Sequence, residues 1–369
     1  MHATRITLVA AALSGVVLTG TLAAQDLPGG LIPNANNPPT RQGTRGANFL
    51  ELGVGARAQA MAGALTALVE GPTSWYWNPA GAANTEQFAV GATRADLYAG
   101  LNITHSFIGV AIPLGAGVLG ASFINLSSGN MERTTEDNPA GGDPTLGSTF
   151  DWSSSSIGIS YARRLTDRLE LGATVKHVSE GVSGASVSWG ALDVGTQFRT
   201  GLYGLSIGAS IQNLGPSARA RGALIERKVN SDQFSKEQTA VEFGTLSTDL
   251  PTLFRFSLGS DVFGGANALF GPAAGKNSVV GELSFNKATD TGNQMALGLE
   301  YSYANILFLR GGKRFYNDGR ATGSSGTYGL SGGGGLRLPV AGRAIRLDYA
   351  YTSVGDLQNV QVFSFEFGH

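Results

Sequence analysis

The stretch IRLDYAY (Ile345–Tyr351) indicates the fold class most clearly, because its side chains alternate between two kinds with a period of two residues. Every second residue is apolar or aromatic, and the residues between them include the charged Arg346 and Asp348. Successive side chains of a β-strand point to opposite faces of the sheet. The stretch therefore predicts a strand with one apolar and one polar face.

The same period recurs from Phe88 to the end of the chain. The clearest further runs are Ile157–Tyr161, Leu169–Val178, Leu205–Ile211, Phe254–Val262, Met295–Tyr303 and Val360–Phe367. Less regular runs lie near residues 88–97, 101–112, 118–125, 187–198, 279–285, 306–315 and 328–338. The total is about 14 strands, each near the roughly 9–11 residues that a tilted membrane-spanning strand needs.

Short and long connections alternate between these predicted strands. The short links are Pro113–Gly117, Arg163–Arg168, Thr200–Gly204, Tyr303–Asn305 and Pro339–Arg343. The longer, polar links are Leu126–Trp152, Ser179–Ala185, Gly215–Thr252, Asn286–Asn293 and Tyr316–Thr327. Outer-membrane barrels have short periplasmic turns and longer outer loops. Two connections depart from this order, since Phe263–Asn277 is long and Tyr98–Leu101 is short.

The composition favours a membrane barrel over a soluble protein. Charged residues make up 14% of the chain, against about 25% in ordinary soluble domains. A large soluble β-sandwich also has alternating strands, but it explains neither the low charge nor the order of the connections. We therefore predict an all-β fold, a transmembrane antiparallel β-barrel of about 14 strands spanning residues 86–369. The net charge of -1 disfavours nucleic acid as a partner.

The first residues predict export. Arg5 gives a basic start, Ile6–Leu18 is apolar, and small residues permit cleavage after Ala23 or Ala24. This is the pattern of a Sec-type signal peptide over residues 1–24. Together with the barrel pattern it predicts an integral protein of the bacterial outer membrane, in contact with its lipid. The chain has no cysteine, which excludes lipid attachment at a cysteine, disulfides and thiolate metal sites.

Residues 25–85 have no strand pattern, and they form a separate N-terminal segment that begins with an arm. Asp26–Gly46 is rich in Pro, Asn and Gly, which favours an extended or irregular arm. Alanines predict a short helix over Ala56–Leu68. In SWYWNPAG (Ser74–Gly81), Asn78 is a candidate N-cap and Pro79 a candidate first helical residue.

The polar faces of the strands carry charges of both signs. We expect aromatic faces to meet lipid and these charges to face the lumen, where an unpaired buried charge is costly. The two signs nearly balance, which predicts a packed or plugged interior. The candidate lumenal charges are Arg255, Asp261, Glu300, Arg310, Arg337, Arg346, Asp348 and Glu366.

The last predicted strand ends on alternating aromatic residues, Phe363, Phe365 and Phe367. Bacterial barrels commonly finish on such a strand, which the barrel assembly machinery reads. Gly368 and His369 follow the last phenylalanine, a slight departure from that pattern.

Phe49–Ala83 resembles the N-terminal signature of the PorV/PorQ family, within the FadL-like group of outer-membrane barrels. The matching features are Gly55–Ala58, the small-residue run with Met61 and Gly63, and Trp77–Ala80. Beyond them the resemblance is only architectural. It implies a 14-stranded barrel whose N-terminal segment folds inside as a hatch, either a static plug or a gate that shifts when ligand binds. The hatch residues so implied are Arg57, Met61, Gly63, Trp75, Tyr76, Trp77, Asn78 and Pro79.

The resemblance implies two functions of different classes. PorV-like proteins bind the C-terminal signal domain of secreted cargo proteins at the outer surface and pass them to other subunits of the type IX secretion complex. FadL-like proteins transport hydrophobic small molecules, such as fatty acids or aromatic hydrocarbons. The signature lies nearer the PorV/PorQ form, so we expect the shuttle first and transport as the alternative. Leu126–Trp152 and Gly215–Thr252 are the candidate docking loops.

Four other patterns predict no chemistry. Gly329–Gly333 matches G-x-S-x-G but lies in a strand pattern, where glycines allow a bend or close approach of the plug. Gly53–Ala58 has no βαβ unit around it, as a dinucleotide site requires. Glu136, Asp137 and Asp143 lie in an acidic loop, and solvated charge is a simpler interpretation of them than calcium binding. The four histidines lack the spacing of zinc ligands. We therefore expect no enzyme activity, metal or cofactor.

Overall fold

A computed structural model shows a closed antiparallel barrel of 14 strands, as the alternation predicts. The structure describes residues 43–98, 100–142, 147–182, 184–230, 238–242, 244–271, 276–316 and 328–368. The predicted signal peptide, most of the arm, Asp143 and His369 lie outside these residues. Within them, no helix has both the length and the apolar character needed to cross a membrane.

Each strand of the barrel pairs with its neighbours in sequence, and β1 closes the barrel against β16. The barrel strands are β1 Ala89–Leu97, β2 Ile103–Leu114, β3 Gly117–Glu132, β4 Thr149–Arg164, β5 Leu169–Val182, β6 Ala185–Arg199, β7 Leu205–Leu214, β10 Leu253–Phe263, β11 Asn277–Ala288, β12 Gln294–Tyr303, β13 Leu307–Tyr316, β14 Leu330–Val340, β15 Arg343–Ser353 and β16 Asn359–Phe367. Two further strands, β8 Glu226–Asn230 and β9 Gln238–Glu242, form a separate hairpin in the longest loop.

The two ends of the barrel differ in their connections. One end, here the turn end, carries the links 115–116, 165–168, 200–204, 304–306 and 341–342, together with the long link 264–276. The other, the loop end, carries 133–148 and 215–252. By the rule for outer-membrane barrels, the loop end faces outward. One predicted loop is wrong: most of Ser179–Ala185 belongs to β5 and β6, because its polar residues continue the ladder through pairs such as Ser179 with Ser188.

The strands present apolar side chains outward and polar side chains inward. Tyr349 and Phe363 are exposed neighbours on the outer face, with ring centroids 5.0 Å apart. Asp348 and Glu366, on the alternate positions, are buried inside. Because the outer surface is apolar, it is suited to contact with lipid rather than with water.

The hatch, described from residue 43 to the start of β1, crosses the lumen from end to end. At the loop end, the Gly46 N–H donates to the Asp249 carbonyl at 3.1 Å and the Ala47 N–H to Glu180 Oε2 at 2.9 Å. At the turn end, Asn84 Nδ2 donates to Glu170 Oε1 at 2.7 Å. The hatch contains helices α1 (Ala56–Ala60) and α2 (Ser74–Trp77) and the 3-10 helices Asn48–Glu51 and Pro79–Asn84.

The prediction of a helix over Ala56–Leu68 is wrong beyond Ala60. Helix α1 ends at Ala60, and the chain then turns at Gly63, whose φ is +81°. The N–H groups of Ala67 and Leu68 donate to the carboxylate of Glu282 in β11, each at 3.0 Å. Contacts with the barrel therefore replace the hydrogen bonds that a longer helix would form.

Asn78 caps the 3-10 helix that begins at Pro79. Its Oδ1 accepts a hydrogen bond from the Ala80 N–H at 3.2 Å. Its Nδ2 donates to the Thr66 and Thr196 carbonyls, both at 2.9 Å. The cap therefore also joins two parts of the hatch to strand β6.

Inward-facing glycines form the seat of the hatch. A Cβ built on Gly312 would lie 2.5 Å from the Met61 carbonyl carbon, and one on Gly208 would lie 2.6 Å from Ala67 Cα. Real Cβ atoms essentially never approach other atoms so closely, so only glycine fits. This close packing accounts for part of the glycine excess of the chain, 54 of 369 residues. Glycines of this kind, each in a different strand, are Gly109, Gly120, Gly172, Gly195, Gly208, Gly259, Gly298, Gly312 and Gly333.

Candidate functional site: the hatch and the lumen wall

A buried ion network ties helix α1 to three strands. Arg57 donates Nε and Nη2 to the two carboxylate oxygens of Glu300, each at 2.9 Å. Glu300 Oε2 also accepts from Arg310 Nε at 2.5 Å, and Arg310 Nη1 donates to Asp348 Oδ1 at 2.7 Å. Arg346 Nε lies 2.9 Å from Asp348 Oδ2. Three cations thus share two carboxylates, so each carboxylate compensates more than one buried charge.

Three other predicted lumenal charges lie near the turn end. The buried Glu366 accepts from Thr73 Oγ1 at 3.4 Å, which joins the hatch to β16. Asp261 faces the lumen beside Gly204. Arg337 stands opposite Arg346 in the register of β14 and β15. The turn-side half of the lumen is therefore strongly polar.

Arg255 joins the aromatic cluster of the hatch. Its guanidinium carbon lies 4.4 Å from the ring centroid of Trp77 and 4.9 Å from that of Tyr76, and its Nη2 donates to Tyr76 Oη at 3.2 Å. The two rings meet edge to face, 5.0 Å apart. Trp77 Nε1 donates to the Val54 carbonyl at 2.8 Å, and Trp75 Nε1 to the Val110 carbonyl at 2.9 Å. The SWYW stretch is therefore a hydrogen-bonded core of the hatch, anchored to β2 and β10.

Two contributors to the seat were missed by sequence reasoning. Glu282 accepts three hatch N–H groups, from Thr66, Ala67 and Leu68. Arg314 Nε donates to the Ala62 carbonyl at 2.8 Å. Both lie in strands whose sequences alternate weakly. The sequence of such a strand does not show which of its side chains will contact the hatch.

The outer half of the lumen has an apolar wall on one side. Inward-facing apolar residues near the loop end of β1 to β6 pack with Phe49 and Leu50 of the hatch in one continuous cluster. We call these barrel residues the outer apolar wall: Leu97, Ile103, Phe107, Ile124, Leu126, Trp152, Val178, Val187 and Trp189. The interior of a membrane barrel is usually polar, so this surface is unusual.

Glu51 lies where the hatch meets the outer loop 289–293. Thr291 Oγ1 donates to Glu51 Oε2 at 3.4 Å. Burial, reinforced by a hydrogen bond with the neighbouring Asp290, raises the pKa of Glu51 from an ordinary 4.5 to about 8. The seated hatch therefore retains a proton that a solvent-exposed Glu51 would release.

We expect docking of this part of the hatch to weaken as pH rises. Because the seated state binds the extra proton, its stability falls between about pH 4.5 and about pH 8 and then levels off. Hydrogen exchange of the amides of Asn48–Leu52, corrected for intrinsic rates, gives the equilibrium constant for local opening. This constant should be at least about tenfold larger at pH 9 than at pH 5. Glu51→Gln should remove this dependence; an equal dependence in that variant would contradict the assignment.

Two solved structures share the fold at low sequence identity. They are the toluene transporter TbuX of Ralstonia pickettii and the toluene transporter TodX of Pseudomonas putida, each with a TM-score of 0.51 and 12% identity. The matches cover 85% of this chain and 97% and 96% of the transporter chains. No protein-family model and no curated protein matches the sequence. The chain thus shares the 14-stranded barrel fold of these two transporters, and a non-strand segment precedes β1.

Proposed function

We propose that the protein carries hydrophobic small molecules across the outer membrane, and that the hatch leaves its seat to let them pass. The observation that carries this proposal is the outer apolar wall, because a lumen for ions or sugars has no use for a buried apolar surface. The fold likeness to two toluene transporters supports the same class of ligand. Transport thus takes precedence over the secretion shuttle that the N-terminal signature favours.

The hatch packs across the lumen between its two ends, so passage requires a movement. A cavity of about 30 Å³ lies near the loop end between Glu51, Trp77 and Arg255, which is room for about one water molecule. A polar cavity of about 220 Å³ lies near the turn end beside Arg57, Glu70 and Asp261. Packed hatch residues such as Met61 and Leu65 belong to the fully buried interior. We infer that the hatch is a gate rather than a static plug.

Uptake of labelled toluene by whole cells tests this proposal. Cells whose outer membrane contains the barrel should show a higher initial uptake rate than matched cells without it. Uptake of a sugar of similar size is the control. A barrel without hydrophobic selectivity would raise sugar uptake as much as it raises toluene uptake. Equal toluene uptake with and without the protein would contradict the proposal.

A second candidate is the secretion shuttle implied by the PorV/PorQ resemblance. It is favoured by the size of the loop 215–252, which carries the hairpin β8–β9 at the outward-facing end. Purification from the native outer membrane in mild detergent distinguishes the two functions. Secreted proteins with a common C-terminal domain, held at stoichiometric level, would support the shuttle, whereas a bound hydrophobic molecule alone would support transport.

A further inference from the structure

His105 is a polar residue enclosed by the outer apolar wall. It faces inward from β2, is 1% exposed, and its Nε2 is buried without a hydrogen-bond partner among the described residues. Along its own strand the next inward residues are Ile103 and Phe107. Its cross-strand partners are Ala95 in β1 and Leu126 in β3. Four apolar side chains thus surround the imidazole on the wall.

An unsatisfied buried nitrogen is costly in this position. Leaving a buried polar group without its hydrogen bond costs about 1–3 kcal/mol. The residues that define the outer apolar wall are all apolar side chains or tryptophan. A phenylalanine or leucine would fit the pattern of its neighbours without that cost. Stability of the closed state therefore gives no reason for a histidine here.

The geometry points to His105 as the polar recognition group for the transported molecule. We propose that the ligand is an uncharged hydrophobic molecule with a single hydroxyl, such as an alkylphenol. Its apolar body would replace Phe49 and Leu50 against the outer apolar wall, and its hydroxyl would bond to His105 Nε2. This inference rests on the proposed function and specifies the substrate class.

The chemistry of the imidazole selects this class. A neutral imidazole has one N–H donor and one nitrogen acceptor, and a hydroxyl both donates and accepts, so the pair matches whichever tautomer is present. A carboxylate or ammonium group would be buried among Ile103, Phe107 and Leu126 without an opposite charge, which is costly. A hydrocarbon could enter but would leave Nε2 unsatisfied. The site therefore favours the hydroxylated molecule over the hydrocarbon.

Toluene and p-cresol provide a matched pair, since they differ by one hydroxyl. In competition uptake by whole cells, the wild-type barrel should prefer p-cresol over toluene by roughly 3- to 10-fold, the effect of one hydrogen bond. His105→Phe should abolish the preference for p-cresol over toluene. His105→Gln, which keeps a hydrogen-bonding group, should retain part of it. His177→Phe is the control, because His177 is exposed on the outer face of β5.

A direct readout is the ¹⁵N resonance of His105 in the detergent-solubilised protein. The chain has four histidines, so histidine labelling gives few signals. Addition of p-cresol, but not toluene, should shift the His105 Nε2 resonance. Folding of each variant is checked by the heat-dependent gel shift of the barrel.

The outcomes separate the two proposals. If neither compound enters faster through the wild-type barrel than through cells without it, the proposed function fails. If both enter at equal rates, or His105→Phe slows them equally, transport stands and the role of His105 is wrong. A His105 resonance that p-cresol leaves unmoved would also overturn that role.

Discussion

Valine in place of Gly312 is expected to unseat the hatch while the barrel stays closed. The added Cβ would lie 2.5 Å from the Met61 carbonyl carbon and 2.8 Å from the Ala62 nitrogen, and these backbone atoms cannot rotate away. Overpacking of this kind costs about 1–3 kcal/mol. The ratio of unseated to seated hatch should therefore rise roughly 5- to 150-fold.

Gly311 supplies the matched control for this variant. It is the neighbour of Gly312 in β13 but faces outward, and the nearest atom to a built Cβ is 4.0 Å away. Conductance of single barrels in a planar bilayer should show frequent open events for Gly312→Val and few for Gly311→Val. Equal conductance in the two variants would show that the glycine seat does not hold the hatch.

Glu300→Gln is expected to cause the largest loss of stability. Glu300 is the shared partner of Arg57 and Arg310, and Arg346 Nη2 lies 3.6 Å from it. Removing its charge leaves Arg57 without its carboxylate partner and leaves Asp348 alone to compensate Arg310 and Arg346. Breaking a buried ion pair in this way costs about 3–5 kcal/mol. The temperature at which the folded band disappears from unboiled gels should fall markedly below that of the wild type.

An exposed ion pair provides the control for this loss. Arg94 and Asp96 form a pair with a distance of 3.2 Å, and both side chains are more than half exposed. Asp96→Asn should therefore change stability by no more than about 1 kcal/mol. Adding Arg57→Met to Glu300→Gln should recover part of the stability, because it removes one uncompensated charge. A Glu300→Gln barrel as heat-stable as wild type would contradict the assigned role of the network.

The strands could be predicted from the sequence because alternation is a local signal. The run IRLDYAY lies within β15, and VQVFSFEF within β16, since each strand must present one face to lipid and one to the lumen. The hairpin β8–β9 was not predicted, because its polar sequence in a long link has no apolar face.

The contacts of the hatch could not be predicted, because they join residues far apart in the chain. Arg57 pairs with a residue 243 positions later, and Ala56 with one 308 positions later. The surroundings of His105 could not be predicted from the sequence either. Its spacing from the other histidines argues only against a metal site, and its apolar surroundings become visible once Ala95 and Leu126 are known to flank it.

Hydrophobic molecules should pass through the barrel only when the hatch leaves its seat. Ser364 Oγ lies 2.7 Å from the Ala56 nitrogen, so cysteines at these two positions are neighbours across the seat. The chain has no native cysteine, so any disulfide within the double variant Ala56→Cys, Ser364→Cys joins these two positions. Oxidation should reduce toluene uptake to the level of cells without the barrel, and reduction should restore it. Full uptake through a barrel whose disulfide is completely formed would contradict the claim.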